Sequence, residues 1–138
     1  MQSCLTKQCL YDNVPLILAV EDDPDNQLLL QHAITMFGWK YVSTDSAFDA
    51  FEISRNILPD LILLDIVMPK INGLEIAALL KSNIHTYNIP LIAVTGLARK
   101  IEQDLIFAVG FSDYICKPYF LEDLKKIITA NLTYSLSM

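Results

Sequence analysis

No apolar run in the chain approaches the ~18 residues that a membrane-spanning helix needs. The longest candidates, such as Ile76-Ala77-Ala78-Leu79-Leu80, are interrupted by polar residues within a few positions. The first residues, MQSCLTKQCLYDN, lack both the basic start and the apolar stretch of a signal peptide. These absences exclude a helical membrane protein and a secretory leader, so the reading is cytoplasmic. Basic residues are few, ten against sixteen acidic ones, and scattered. Only Arg99-Lys100 and Lys125-Lys126 are adjacent, and solvated helix faces account for both pairs. A net charge of −6 without basic clusters argues against a nucleic-acid surface. The three cysteines form no CxxC and have no histidine at metal-ligand spacing, which excludes a disulfide framework or a zinc site. Cys4 and Cys9 fall in a stretch with weak structural signals. Cys116 falls in an expected strand, where a buried free thiol is usual. His32 and His85 stand far apart and read as ordinary surface or partly buried residues. No linker, internal repeat or low-complexity segment divides the 138 residues.

What the chain does have is alternation. Residues 1–13 read as a flexible lead-in, and 14–138 as one domain. Short runs rich in Ile, Leu and Val, of the kind buried on both faces of a parallel sheet, alternate with amphipathic segments. Strands are expected at 16–20, 39–43, 60–64, 89–94 and 113–116. Asp23 and Pro24 open the first helix as cap and first helical residue, and Gly38 stops it. Its apolar positions at the 3.6-residue period are Leu28, Leu29, Ala33, Ile34 and Phe37. Asp45 or Ser46 caps a second helix running to about Ile57. A third runs from Asn72-Gly73 to near Asn83, a fourth from about 98 to 109, and the last from about Tyr119 to Leu132. The result is (βα)5, a doubly wound five-stranded parallel sheet with helices on both faces and right-handed crossovers.

In such sheets chemistry gathers outside the carboxyl ends of the strands. Glu21-Asp22 follow the first strand, Asp65 the third, Thr95 the fourth and Lys117 the fifth. Four strand ends thus deliver three acids, a hydroxyl and an amine to one edge. Unit charges about 4 Å apart repel by roughly 4 kcal/mol at an effective dielectric near 20. Clustered carboxylates therefore shift their pKa values or recruit a cation. An all-oxygen set completed by water or phosphate favours Mg²⁺. Glu21, Asp22 and Asp65 are the expected side-chain ligands, with the backbone carbonyl of Val67 a further one. Taken alone, Glu21-Asp22-Asp23 would read as a solvated helix-capping loop; the acid ending a second strand at the same edge argues for more. A carboxylate nucleophile forming an aspartyl phosphate beside a metal suits this inventory.

The segments ILAVEDDPDN at 17–26, LILLDIVMPKINGLE at 61–75, IPLIAVTG at 89–96 and GFSDYICKP at 110–118 resemble receiver domains of two-component response regulators. The resemblance spans residues 16 to about 132 and implies the flavodoxin-like receiver fold. It implies Asp65 as phosphoacceptor, Mg²⁺ on Glu21, Asp22 and the Val67 carbonyl, and Thr95 and Lys117 as phosphoryl-binding groups. Thr95 and Tyr114 become a coupled switch, and Lys117-Pro118 is expected to be cis. Such a protein is a signalling phosphoacceptor that assists its own phosphorylation and dephosphorylation. The implied partners are a histidine kinase or histidine phosphotransfer protein and a downstream protein target. With the chain ending just past the fifth helix, a stand-alone receiver is expected.

Glu-Asp in place of Asp-Asp preserves the acids, and Gly96 after Thr95 frees that loop. The helix at 98–109 carries Ile101, Leu105, Ile106, Phe107 and Val109, more than one buried stripe requires. Either the core is generous there, or Ile106 or a neighbour is exposed and forms part of a partner or dimer surface; a monomer or a weak homodimer through the 98–118 face and the last helix is expected. Three other readings are weaker. A haloacid-dehalogenase-type phosphotransferase wants a second Asp where Val67 stands. A flavodoxin-like cofactor binder needs a phosphate loop where Glu21-Asp22-Asp23 would repel phosphate. A receiver-like interaction module that takes no phosphate would keep the fold without the chemistry.

Overall fold

The structure, a computed structural model, describes residues 13–68, 71–96 and 99–136. The expected lead-in with Cys4 and Cys9, and Pro69 of the central motif, lie outside those residues. Five parallel strands form the sheet: β1 (Leu16–Val20), β2 (Lys40–Thr44), β3 (Leu61–Asp65), β6 (Leu91–Thr95) and β7 (Asp113–Cys116). Their spatial order is β2-β1-β3-β6-β7, all in parallel register. Five helices connect them: α1 (Pro24–Met36), α2 (Ala47–Ile57), α3 (Gly73–Lys81), α4 (Lys100–Val109) and α5 (Leu121–Leu136). A two-residue antiparallel pair, β4 (Val67–Met68) with β5 (Ile71–Asn72), follows β3. No helix among the described residues is long and apolar enough to cross a membrane.

The central strands β1, β3 and β6 are almost wholly buried because both their faces are covered. Alternate residues go to opposite layers. Leu18, Val20, Ile62 and Leu64 pack with Ile76, Leu80 and Ile106 from α3 and α4. Ile17, Ala19, Leu61 and Leu63 pack with Leu30 and Ile34 of α1 and with Leu124 and Ile128 of α5. Complete burial of such a side chain is worth about 1.5–3 kcal/mol. These two layers hold the sheet, and hence its carboxyl edge, in place.

Local signals set the helix ends. Asp23 is extended and its Oδ1 accepts the Asp25 N–H at 3.1 Å, with Pro24 at the first helical position. Ser46, rather than Asp45, caps α2 through the Asp49 N–H at 3.2 Å. Gly38 and Gly110 take φ of +97° and +123° just past α1 and α4, values that side chains disfavour.

Several expectations need correction. In α1 the buried residues are Leu30, Ala33 and Ile34, whereas Leu28 and Leu29 face solvent. In α4 the expected exposure of Ile106 or a neighbour falls on the neighbours: Ile106 is enclosed, whereas Leu105, Phe107 and Ile101 are exposed. Cys116 is a free thiol but only half-buried. The last helix starts at Leu121 and continues to Leu136, past the expected end at Leu132.

Candidate functional site

The strand order places β1 between β2 and β3, so the chain leaves β1 for one neighbour and later returns to the other. The crevice at that reversal, outside the carboxyl ends of β1 and β3, is where ligands bind in open α/β sheets. Glu21-Asp22 and Asp65 flank it. Backbone bonds carry the strand pairing past the last residues and fix the loops. Glu21 N–H donates to the Thr44 carbonyl at 3.0 Å, Ile66 N–H to Val94 at 3.1 Å and Lys117 N–H to Thr95 at 2.8 Å.

Asp65 and Glu21 are each only 4% exposed, unusual burial for carboxylates. What compensates them is the Lys117 ammonium, 2.6 Å from Asp65 Oδ2 and 3.7 Å from Glu21 Oε1. Burial raises the pKa of Glu21, and the Asp23 N–H and the Lys117 charge oppose that rise. The neighbouring Asp65 and Asp22 charges push it further up. Burial pulls Lys117 down, but its hydrogen bond to Asp65 and the charges of Asp65 and Glu21 outweigh that and raise it. Glu21 Oε2 accepts the Asp23 N–H at 3.1 Å. Asp22 is exposed at the rim.

Thr95 is buried at the end of β6 and pairs in register with Cys116, next to Lys117. A Cβ on Gly96 would meet nothing within 4 Å, so the space beside Thr95 is open. Tyr114 lies one strand over, half-buried against the α3–α4 core layer. Its ring meets that of Phe107 edge-on, centroids 6.0 Å apart. The Lys117-Pro118 bond is cis. Val67 starts the short β4 strand, two residues beyond Asp65. Beside Lys117, a groove of about 520 Å³ is lined by Asn26, Leu29, Pro118, Tyr119 and Leu121.

The acids, the hydroxyl and the amine expected from sequence thus share one edge. Among the described residues, however, no three His, Cys, Asp or Glu side chains are gathered closely enough to form a ready metal cage. The buried acids converge instead on an ammonium. The donor chemistry still fits a hard divalent cation: Asp65 and Glu21 offer carboxylate oxygens around one positive charge, and Asp22 lies within electrostatic reach of Glu21.

Three residues near the site were not singled out in the sequence. Gln27 donates from Nε2 to the Glu21 carbonyl at 2.5 Å, and the Tyr41 hydroxyl donates to the Gln27 carbonyl at 3.2 Å. Tyr119, after Pro118, has its pKa raised chiefly by burial. The only sequence signal for Gln27 was a long amide in the first turn of a helix that follows an acidic loop.

A family model for the response regulator receiver domain matches residues 17–129. The polar-differentiation response regulator DivK of Brucella ovis is 35% identical over 116 residues, covering 81% of this chain and 94% of that protein. Among solved structures, the chemotaxis protein CheY4 of Vibrio cholerae superposes with a TM-score of 0.81 at 20% identity, covering 85% of this chain and 98% of its own. The receiver domain of a Pseudomonas aeruginosa sensor histidine kinase, described with magnesium coordinated in its active-site cleft, gives 0.80 at 23%, covering 87% and 98%.

Proposed function

The chain belongs to the response regulator receiver domain family, and on that premise we propose that Asp65 accepts a phosphoryl group from a phosphohistidine. The donor is a histidine kinase or a histidine phosphotransfer protein. The P–N bond of the donor breaks as a bond forms between phosphorus and an Asp65 carboxylate oxygen. Hydrolysis later returns the carboxylate and inorganic phosphate. The observation that carries this reading is Asp65 itself: a buried carboxylate at the sheet's switch-point crevice, 2.6 Å from an ammonium.

Glu21, Asp22, Asp65 and the Val67 backbone carbonyl would hold Mg²⁺, whose positive charge offsets charge on the transferred group. Lys117 binds a phosphoryl oxygen once Asp65 is phosphorylated, exchanging one anionic partner for another. Thr95 supplies a hydroxyl from the adjacent strand end. The fold-related Pseudomonas protein described with magnesium in its cleft supports the metal assignment.

Output runs through Thr95 and Tyr114. When Thr95 turns toward the phosphoryl group, Tyr114 gains room to leave Phe107, and the α4 surface carrying Ile101, Leu105 and Phe107 changes shape. That surface, with β7 and α5, contacts a downstream protein or a second copy of the chain. Such two-state elements are separated by a few kcal/mol, within reach of one phosphorylation.

The test is intact-mass spectrometry after incubation with acetyl phosphate, with and without Mg²⁺, on wild type and Asp65→Ala. A gain of one phosphoryl group that requires both Asp65 and Mg²⁺ is expected. No gain under any condition would instead assign the chain to interaction modules that act without phosphate.

A further inference from the structure

Glu21 is held through its backbone and side chain alike. Its N–H donates to the Thr44 carbonyl at 3.0 Å. Its Oε2 accepts the Asp23 N–H at 3.1 Å, and its Oε1 lies 3.7 Å from Lys117 Nζ. These contacts come from the chain's own loop, from strand pairing and from the site ammonium. The remaining contact differs in kind. The Glu21 carbonyl accepts from Nε2 of Gln27 at 2.5 Å, and Gln27 is an α1 side chain with no part in the chemistry described above.

That carbonyl belongs to the peptide unit joining Glu21 to Asp22. A peptide unit is planar, so fixing the direction of its C=O fixes the plane and with it the Cα of Asp22. The Asp22 side chain is exposed and makes no hydrogen bond among the described residues, so its direction depends on the backbone beneath it. The anchor is itself braced: the Tyr41 hydroxyl of β2 donates to the Gln27 carbonyl at 3.2 Å. The Gln27 N–H donates to the Asp23 carbonyl at 2.9 Å in the first turn of α1.

We propose that Gln27 is a positioning residue for the acidic loop: its amide sets the plane of the Glu21-Asp22 peptide and so aims the Asp22 carboxylate at a cation shared with Glu21 and Asp65. The assignment rests on the reading of that loop as a metal holder. Chain length and chemistry both matter. Methionine matches the reach without a donor. Glutamate also matches it, but its added negative charge would itself attract the cation, so methionine isolates the hydrogen bond. The group does not touch the cation, so its loss weakens binding without removing a ligand.

Mn²⁺ binding followed by electron paramagnetic resonance tests this on the full chain, with circular dichroism confirming that each variant is folded. A net hydrogen bond of ordinary strength corresponds to about a three- to tenfold change in an equilibrium constant. Gln27→Met is expected to weaken Mn²⁺ binding by that factor. Gln31→Met, one turn further along the exposed side of α1, should bind as wild type does. In acetyl phosphate labelling, the loss in Gln27→Met should lie in the Mg²⁺ concentration for half-maximal rate rather than in the rate at saturation. A Gln27→Met dissociation constant within twofold of a wild-type protein that binds Mn²⁺ overturns the proposal alone, even if the variant melts earlier. A wild-type protein that binds no Mn²⁺ overturns it together with the metal-holding reading.

Discussion

Lys117 Nζ stands 2.6 Å from Asp65 Oδ2 across 52 residues of sequence, and it is the positive charge that makes two buried acids tolerable. Removing one partner of a buried pair leaves an uncompensated charge, a cost reduced here because Lys117 is about one-third exposed. Lys117→Met is therefore expected to lower stability at neutral pH by about 1–2 kcal/mol without divalent ions. Mg²⁺ should raise the melting temperature of the variant more than that of wild type, because it replaces the missing charge. Thermal melts with and without Mg²⁺ measure both. An equal Mg²⁺ effect in the two proteins would contradict this account.

A second constraint on Asp65 comes from Gly73. A Cβ there would lie 2.6 Å from the Ile66 Cα and 3.0 Å from the Asp65 carbonyl oxygen. Both neighbours are backbone, so neither can yield as a flexible side chain would. Gly73→Ala is expected to cost about 1–3 kcal/mol through forced displacement and to slow acetyl phosphate labelling of Asp65. Chemical denaturation and labelling kinetics check the two parts. Full stability with normal labelling would show that the β3–α3 connection absorbs a methyl group.

Alkaline pH probes the two tyrosines that flank the acidic loop. Burial raises the pKa of Tyr41 and of Tyr119 above the ordinary 10.0. Over the window from 10.0 up to the folded values, the folded chain keeps protons that the unfolded chain releases. The stability they contribute is thus complete below 10.0 and is lost as pH rises through the folded pKa values. Lys117, also raised, acts in the same direction above 10.5, whereas Lys81, lowered by burial, acts oppositely below 10.5. Tyr41→Phe should flatten the fall in denaturation free energy above pH 10, and an unchanged slope would count against the assignment.

Leu58, just past α2, holds φ of +48° and ψ of +68°, a left-handed conformation that a branched side chain adopts at a cost. Its side chain is half-exposed, so little packing is lost on truncation. Leu58→Gly is expected to be neutral or stabilising by up to about 1 kcal/mol, less the greater entropy of glycine in the unfolded chain. Equilibrium denaturation gives the sign directly. A loss above that size would mean that Leu58 packs more tightly than its exposure indicates.

Much of the architecture was legible because strand identity here is a matter of composition. Runs such as Leu61-Ile62-Leu63-Leu64 are apolar at every position, and only a sheet covered on both faces makes use of that. The polar residues ending those runs marked the carboxyl edge, and the edge marked the site. Boundaries shifted by a residue or two where the ending residue itself has strand backbone, as Asp65 and Thr95 do. The β4–β5 pair escaped notice because two residues are too few to show a period.

The sequence by itself determined which groups reach the edge, since strand ends are set by local composition and the sheet must lie where those strands are buried. Which face each helix turns inward was decided only by tertiary packing. Leu28, Leu29 and Leu30 are chemically equal, and contact with the β1–β3 layer selected Leu30. In α4 the same competition enclosed Ile106 and left Ile101, Leu105 and Phe107 outside. The pairing of Lys117 with Asp65 and the bond from Gln27 to the Glu21 carbonyl likewise belong to the folded state alone. Each depends on distances between elements that no single segment contains.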